Sequence, residues 1–423
     1  MENGSIFYAG AAKGNITPEK ELFPMPYIGP IVIDRAEDSI YVRVLAMEDG
    51  KNKSLFITFD LCAIPYPEET LKMISEGTGI PEAYIFMAAT HTHEVPLLGF
   101  GLYQQGTEEE KKCQLWYGVM KDVILETVRT AMGHLKPARI GYGTGKSYIN
   151  VNRDETKDGK TDLGNNFERP SDKTLYLVRI EDMQGSTIAL LVNYAVHAVV
   201  MNGCMVNGGI GLCGDLPGRT SAKLEEQLGG VALWTSGAAG DQNPRIMTAY
   251  GIELKDGKPK MRCLEEKGYM ILDFLVEEHV RDILKVNEGL VCEETDAPLF
   301  AASETIKCPG RKNPEKNTGT DDVPDAPYIL RLLTIGDIAF EGISAEVVTT
   351  VGQAVREDSP YRKTILVTHA SAYCGYVPDD WEYEHDAFEA KSTPVAQGAA
   401  QPAFLQGFRE LFRRRRQGGG ETK

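Results

Sequence analysis

The chain has 423 residues, 42% apolar, 25% charged and 8% aromatic. These proportions exclude a disordered, collagen-like or coiled-coil chain, and the length suits one large domain or two or three ordinary ones. Its 61 acidic against 45 basic residues leave a net charge of −16, which repels phosphate backbones and argues against nucleic acid as a partner.

The N-terminus, MENGSIFYAG, has no basic n-region and no apolar h-region. No secretory signal is therefore expected, and a cytoplasmic setting follows. Short β-rich runs at 41–47 and 54–59 flank the turn Glu48-Asp49-Gly50-Lys51 and predict a hairpin. A further strand is predicted at 84–89. Residues 107–135 show helical spacing, with Leu115, Val119, Val123, Ile124 and Val128 on one face and a capping box of Thr107 and Glu110 at the start. A strand pair is predicted at 175–179 and 188–194. The stretch 186–203 comes nearest to a membrane span, but it is short and contains Asn193 and His197. It reads as a buried strand with its exit loop, so no integral membrane segment is expected.

A helix at 218–228, a strand at 231–235 and a long amphipathic helix at 264–284 follow. Strands are predicted at 329–339 and 364–369, and a helix over 344–356 with Ser344 as its N-cap. Residues 308–327, rich in Pro, Gly, Asn and charge, predict a long surface loop. Residues 413–423 (RRRRQGGGETK) predict a disordered basic tail. Strands and helices are intermixed, so the expected class is α/β: one large domain over 5–412, with a mixed central sheet flanked by helices and the site at strand ends.

None of the eight cysteines forms CxxC, which argues against a structural zinc knot. Two of the seven histidines stand in Thr90-His91-Thr92-His93, directly after a predicted strand. Histidines at i and i+2 on extended chain point the same way, so one can bind a metal while the other handles protons. A hydrogen-bonded loop pair is the competing reading. His197 ends the apolar run 188–196 and reads as a core residue or as a ligand. The small-residue stretches Asn207-Gly208-Gly209, Gly214-Asp215-Leu216-Pro217-Gly218 and Ser236-Gly237-Ala238-Ala239-Gly240 are either turns or places where backbone amides approach a ligand closely.

Taken in order, Ala89-Thr90-His91-Thr92-His93, Asn193-Tyr194-Ala195-Val196-His197, Cys213-Gly214-Asp215 and Gly240-Asp241-Gln242-Asn243-Pro244 resemble the neutral ceramidase family in its N-terminal catalytic domain. The glycine-rich start ending in Asn15-Ile16-Thr17-Pro18, then Asp34-Arg35 and Asn152-Arg153, match as well, and the resemblance runs from about Phe7 to Phe412. It implies a zinc-dependent amide hydrolase with one Zn2+ per chain and His91, His197, Glu346 and Tyr376 as ligands. It also implies His93 as a proton donor and Arg153 as a group that holds the substrate's polar end or developing charge. By themselves, Glu346 reads as a first-turn helix carboxylate and Tyr376 as a loop aromatic. Asp215 and Asp241 are candidates for orienting the histidines, and Asp241 reads equally as a brace for its own loop.

Where the family's ceramidases carry a serine in Gly-Asp-x-Ser-Pro, this chain has Asn243. An amide cannot act as a nucleophile but can donate to an oxyanion, so the expected attack is by metal-activated water with Asn243 as a positioning group. The family's ceramidases continue into a C-terminal β-rich domain, so a short single-domain homologue is expected. The expected substrate is an amide, N-acyl or related, small or lipid-like. The alternatives are hydrolysis of an ester, lactone or cyclic amide, or an inert metal- or ligand-binding homologue. Residues 308–327 and 381–392 are expected to border the pocket, with His385 at the surface. Nothing in the sequence speaks for a homo-oligomer.

Overall fold

The computed structural model describes residues 6–27, 31–98, 103–255, 258–311 and 323–418. Its centre is an eight-stranded mixed sheet. From one edge the strands are Val231–Ser236, Thr187–Tyr194, Thr174–Asp182, Lys136–Lys146, Tyr8–Asn15, Tyr41–Glu48, Lys53–Phe59 and Ile85–Ala89. The outermost pair at each edge is parallel and the rest are antiparallel. The strand Tyr41–Glu48 shows how the layers arise. Val42, Val44 and Ala46 pack beneath the helix Glu108–Gly133, while Leu45 and Met47 point to the opposite face. Both faces of the strand are buried, which explains its near-continuous apolar run.

That opposite face does not meet helices. It packs on a second sheet of Leu299–Cys308, Ala326–Ile335, Ile338–Ile343 and Lys363–Val367, through Phe56 and Phe86 against Phe340, Leu333 and Val367. The second sheet's outer face carries the helices Thr349–Asp358 and Ala400–Gly418, by way of Val351, Val355, Phe404 and Phe408. The helices Asp215–Leu228 and Gly268–Glu288 cover the far part of the first sheet. The architecture is therefore helix, sheet, sheet, helix: the expected mixed α/β fold, with a second sheet inserted. Among the described residues no helix is long and apolar enough to cross a membrane.

Several local expectations change. Leu115 and Val119 are 62% and 50% exposed; the buried face of their helix is carried by Trp116, Met120, Ile124 and Val128. Thr107 accepts from the Glu110 amide at 3.3 Å, but the Glu110 carboxylate takes the Gly106 amide, so only half a capping box forms. The predicted strand 329–339 is two strands around Gly336, whose φ of 58° suits a tight hairpin. The helix predicted from Ser344 begins at Thr349; Ser344 instead accepts the Ile329 amide, and Glu346–Val347 is a short strand. The helix Ala400–Gly418 runs through Arg413–Arg416, where a disordered tail was expected, and Arg414 and Arg415 reach back to Glu304 and Thr334. Of the predicted loop 308–327, residues 312–322 lie outside the described residues.

The strand Lys136–Lys146 escapes prediction because its glycines mask the pattern. A Cβ on Gly141 would lie 2.4 Å from the Val291 carbonyl oxygen, and one on Gly145 2.4 Å from Val286. Glycine here permits close packing under a helix and its following turn.

Candidate metal centre

Four parallel-ended strands bring their C-terminal ends to one seam. Ala89 donates to the His369 carbonyl at 3.2 Å, Thr368 to that of Ser236 at 2.9 Å, and Ala370 to that of Ile343 at 3.1 Å. His91 lies two residues past one strand end, His197 three past another, and His369 two past a third. The loops are stitched together. His93 donates its amide to Ala198, His197 to Gln242, Arg153 to Asp241, and Gly240 to Val347. Gly240 is required there, because a Cβ would come within 3.0 Å of the Glu346 and Val347 carbonyls. Glu346 itself lies in parallel register with Tyr376, its amide bonded to Gly375 at 3.0 Å.

The side chains converge accordingly. His91 Nδ1 donates to the Cys62 carbonyl at 2.7 Å, and His197 Nδ1 to that of Ala239 at 2.6 Å. Both Nε2 atoms are thereby left with lone pairs. They face one carboxylate oxygen, Glu346 Oε2, at 3.4 Å and 2.9 Å. Tyr373 donates its hydroxyl to the other oxygen at 2.7 Å. His93 Nε2 is 3.2 Å from His91 Nε2, and His93, like Tyr373, is partly exposed. Tyr376 lies beside His197, ring centroids 6.5 Å apart, under the Arg153 guanidinium. Arg153 approaches Asn243 Oδ1 and His197 at 3.4 Å and is held by Glu389 at 2.6 Å.

Two imidazole nitrogens turned on one carboxylate oxygen call for positive charge between them, supplied by a proton or by a metal ion. Two imidazole nitrogens and a carboxylate, with a phenol nearby, are the donor types zinc takes. Ligands ~2.1 Å from one tetrahedral ion lie roughly 3.4 Å apart, which suits the spacing seen. Backbone carbonyls on the outer nitrogens are the usual means of orienting histidine ligands.

The electrostatics agree with this placement. Burial, reinforced by Arg153, pushes His197 down to about 4, keeping it neutral. Burial and the neighbouring imidazoles hold His93 well below its usual range. Burial opposes charge on Glu346 and His91 too, yet each outweighs it at the other: Glu346 is held well below the carboxylate range, and His91, with Cys62 also beside it, well above its own. A proton on His91 takes the place a metal ion would hold.

Of the residues singled out from the sequence, His91, His93, His197, Glu346, Tyr376, Arg153 and Asn243 come together. Asp241 does not reach a histidine. Its oxygens accept from Thr349, amide and hydroxyl, and from Asn152, so it caps the helix Thr349–Asp358 and braces the loop whose carbonyls hold His197. Asp215 accepts the amides of Val200, Met201 and Leu216 and fixes the loop after His197. Three participants were missed: Tyr373, Glu389 and His369, whose ring stacks on His91 at 3.8 Å. A histidine just past a strand end was the signal shared by His91, His197 and His369. Phe388 packs edge-on against Tyr376 at 5.7 Å, so the 381–392 segment does border the site.

No family model matches the chain. Its sequence is 25% identical over 284 residues to neutral ceramidase B of Dictyostelium discoideum, covering 60% of this chain and 37% of that one. Over 231 residues it is 25% identical to neutral ceramidase A of the same organism, covering 49% and 31%. The chain thus matches about a third of the length of these curated relatives. Its fold is that of the neutral ceramidase from Pseudomonas aeruginosa, with a TM-score of 0.71 at 17% identity over 96% of this chain and 73% of that one. The chain is similar in sequence and in fold to neutral ceramidases. A solved structure described as a ceramidase complexed with C2 superposes equally well, with a TM-score of 0.70 at 15% identity over 97% and 76% of the two chains. Within the neutral ceramidase fold, the histidine seam lies where the two sheets end together.

Proposed function

We propose that the chain is a zinc-dependent hydrolase that cleaves the amide bond of a small or lipid-like N-acyl substrate. The observation that carries this reading is the pair of imidazoles tied outward to carbonyls and turned inward on Glu346. A bound zinc supplies Lewis acidity, polarising a carbonyl and lowering the pKa of water to about 7. His93, neutral and partly exposed, takes the proton of the attacking water and returns it to the leaving nitrogen. Arg153, fixed by Glu389, stabilises charge on the carbonyl oxygen. Asn243 offers no nucleophile; its Oδ1 aligns the guanidinium, so water attacks directly. The half-exposed Phe388 beside Tyr376 offers an apolar wall to an acyl chain. Eight unpaired cysteines accord with a reducing, cytoplasmic setting, which is part of the same proposal.

The test is elemental analysis of the purified protein beside a His91→Ala/His197→Ala variant, followed by a substrate panel. The names of the relatives put ceramide first, then shorter N-acyl amides, lactams, lactones and esters. About one zinc per chain, lost in the variant, with amide turnover abolished by a chelator, is the expected result. Absence of metal after zinc loading overturns the reading. Turnover of esters or lactones alone moves the function to that bond, and a covalent acyl-enzyme in rapid-quench mass spectrometry refutes direct attack by water.

A further inference from the structure

Behind Arg153 lies a second buried cluster, joined to the histidine centre through Glu389. Asp154, Glu382 and Glu389 each offer a carboxylate oxygen within 4.8 Å of the others. They are 1%, 0% and 0% exposed. Both oxygens of Asp154, Oε1 of Glu382 and Oε2 of Glu389 are buried without a hydrogen-bond donor. The nearby cations do not answer them. Arg153 is committed to Glu389 Oε1, at 2.7 Å from Nε and 2.6 Å from Nη2. Arg169 stays 3.9 Å from both Asp154 and Glu382, lies over the Trp381 ring at 3.6 Å, and turns toward Asp379 at 3.4 Å. The neighbouring Asp241 is fully engaged with Thr349 and Asn152.

Like charges buried together without donors are strongly unfavourable. Either protons or a metal ion must answer them. We propose that Asp154, Glu382 and Glu389 form a second cation site, separate from the histidine centre, that binds a hard divalent ion. Oxygen-only donors favour a hard cation over zinc or copper, which prefer nitrogen and sulfur. Calcium accepts carboxylates in one- or two-oxygen modes at about 2.3–2.6 Å, which suits the spacing, whereas magnesium keeps several waters that so enclosed a cluster does not favour. The ion would hold Glu389 through Oε2 while Oε1 grips Arg153. Glu389 then becomes a positioning residue, and the ion fixes the guanidinium that faces the histidine centre.

The site does not depend on hydrolysis, so its test reads metal rather than turnover. The full chain is dialysed against calcium chloride or magnesium chloride and bound metal is counted, for the wild type, Asp154→Asn/Glu382→Gln and His91→Ala/His197→Ala. One calcium per chain is expected in the wild type and in the histidine variant, and none in the carboxylate variant. The midpoint of thermal unfolding should rise with calcium only where the ion binds. Magnesium retained in the same pattern also supports the site. No calcium or magnesium in the wild type overturns it, as does equal retention in Asp154→Asn/Glu382→Gln. Glu382→Gln alone, closest in shape to the wild type, guards against a folding defect. It should bind calcium at least tenfold more weakly, and unchanged affinity overturns the proposal.

Discussion

Two buried polar clusters flank Arg153, and they are built in opposite ways. In the histidine cluster the outer nitrogens of His91 and His197 are tied to backbone carbonyls, which fixes the rings so that their inner nitrogens meet at Glu346. In the acid cluster several oxygens have no donor at all. The first is preorganised by the backbone, the second merely concentrated by the packing of short helices on a strand. The contrast shows that a site is recognised by what is satisfied on its outer side as much as by what is left open within.

The largest effect that sharpens this contrast is expected at His93. In the proposed mechanism His93 handles protons and does not ligate, so replacing it with glutamine should lower kcat by ~10²–10⁴-fold while zinc content stays at the wild-type level. Parallel loss of zinc and activity would place His93 among the ligands. Tyr373→Phe comes next. It removes the hydroxyl donated to Glu346 and should weaken zinc affinity ~10–100-fold, measured by competition with a chromophoric chelator. An unchanged affinity would leave the outer side of Glu346 without a role.

A further effect, on stability and not on activity, belongs to the acid cluster in calcium-free protein. Burial, with Glu389 beside it, pushes Asp154 up to about 8 from an ordinary 3.8. The folded state then holds a proton that the unfolded state releases, so this group's contribution to stability is fully present at low pH and falls as pH rises between the two values, by up to ~1.4 kcal/mol per pH unit. Urea midpoints followed between pH 5 and pH 8 should decline in the wild type and flatten in Asp154→Asn. A wild-type midpoint that does not fall would show that the carboxylates are answered by something other than protons.

Much of this was legible from residues alone. The hairpin at 41–59, the helix capped by Thr107 and the strands leading to His91 and His197 follow from periodicity and turn residues acting over a few positions. The motifs also carried the resemblance to neutral ceramidases and the residues that meet at the seam. Where the reading failed, a distant partner had decided the matter. The helix after Glu346 starts late because Asp241, 108 residues away, caps Thr349, and because Glu346 pairs with Tyr376 as strand. Leu115 and Val119 face outward because Trp116 and Met120 are the side chains that reach the sheet; the resulting groove with Ile16 and Leu22 has a volume of ≈ 260 Å³.

The sequence by itself determined the α/β character, the strand-end histidines and the chemistry their types allow, because those depend on local pattern and on intrinsic donor properties. Only the tertiary structure decided that a second sheet covers the first, that His369 and Tyr373 join the histidines, and that Asp154, Glu382 and Glu389 share one buried space. Those facts arise from contacts between segments hundreds of residues apart, where burial and pairing override local preference.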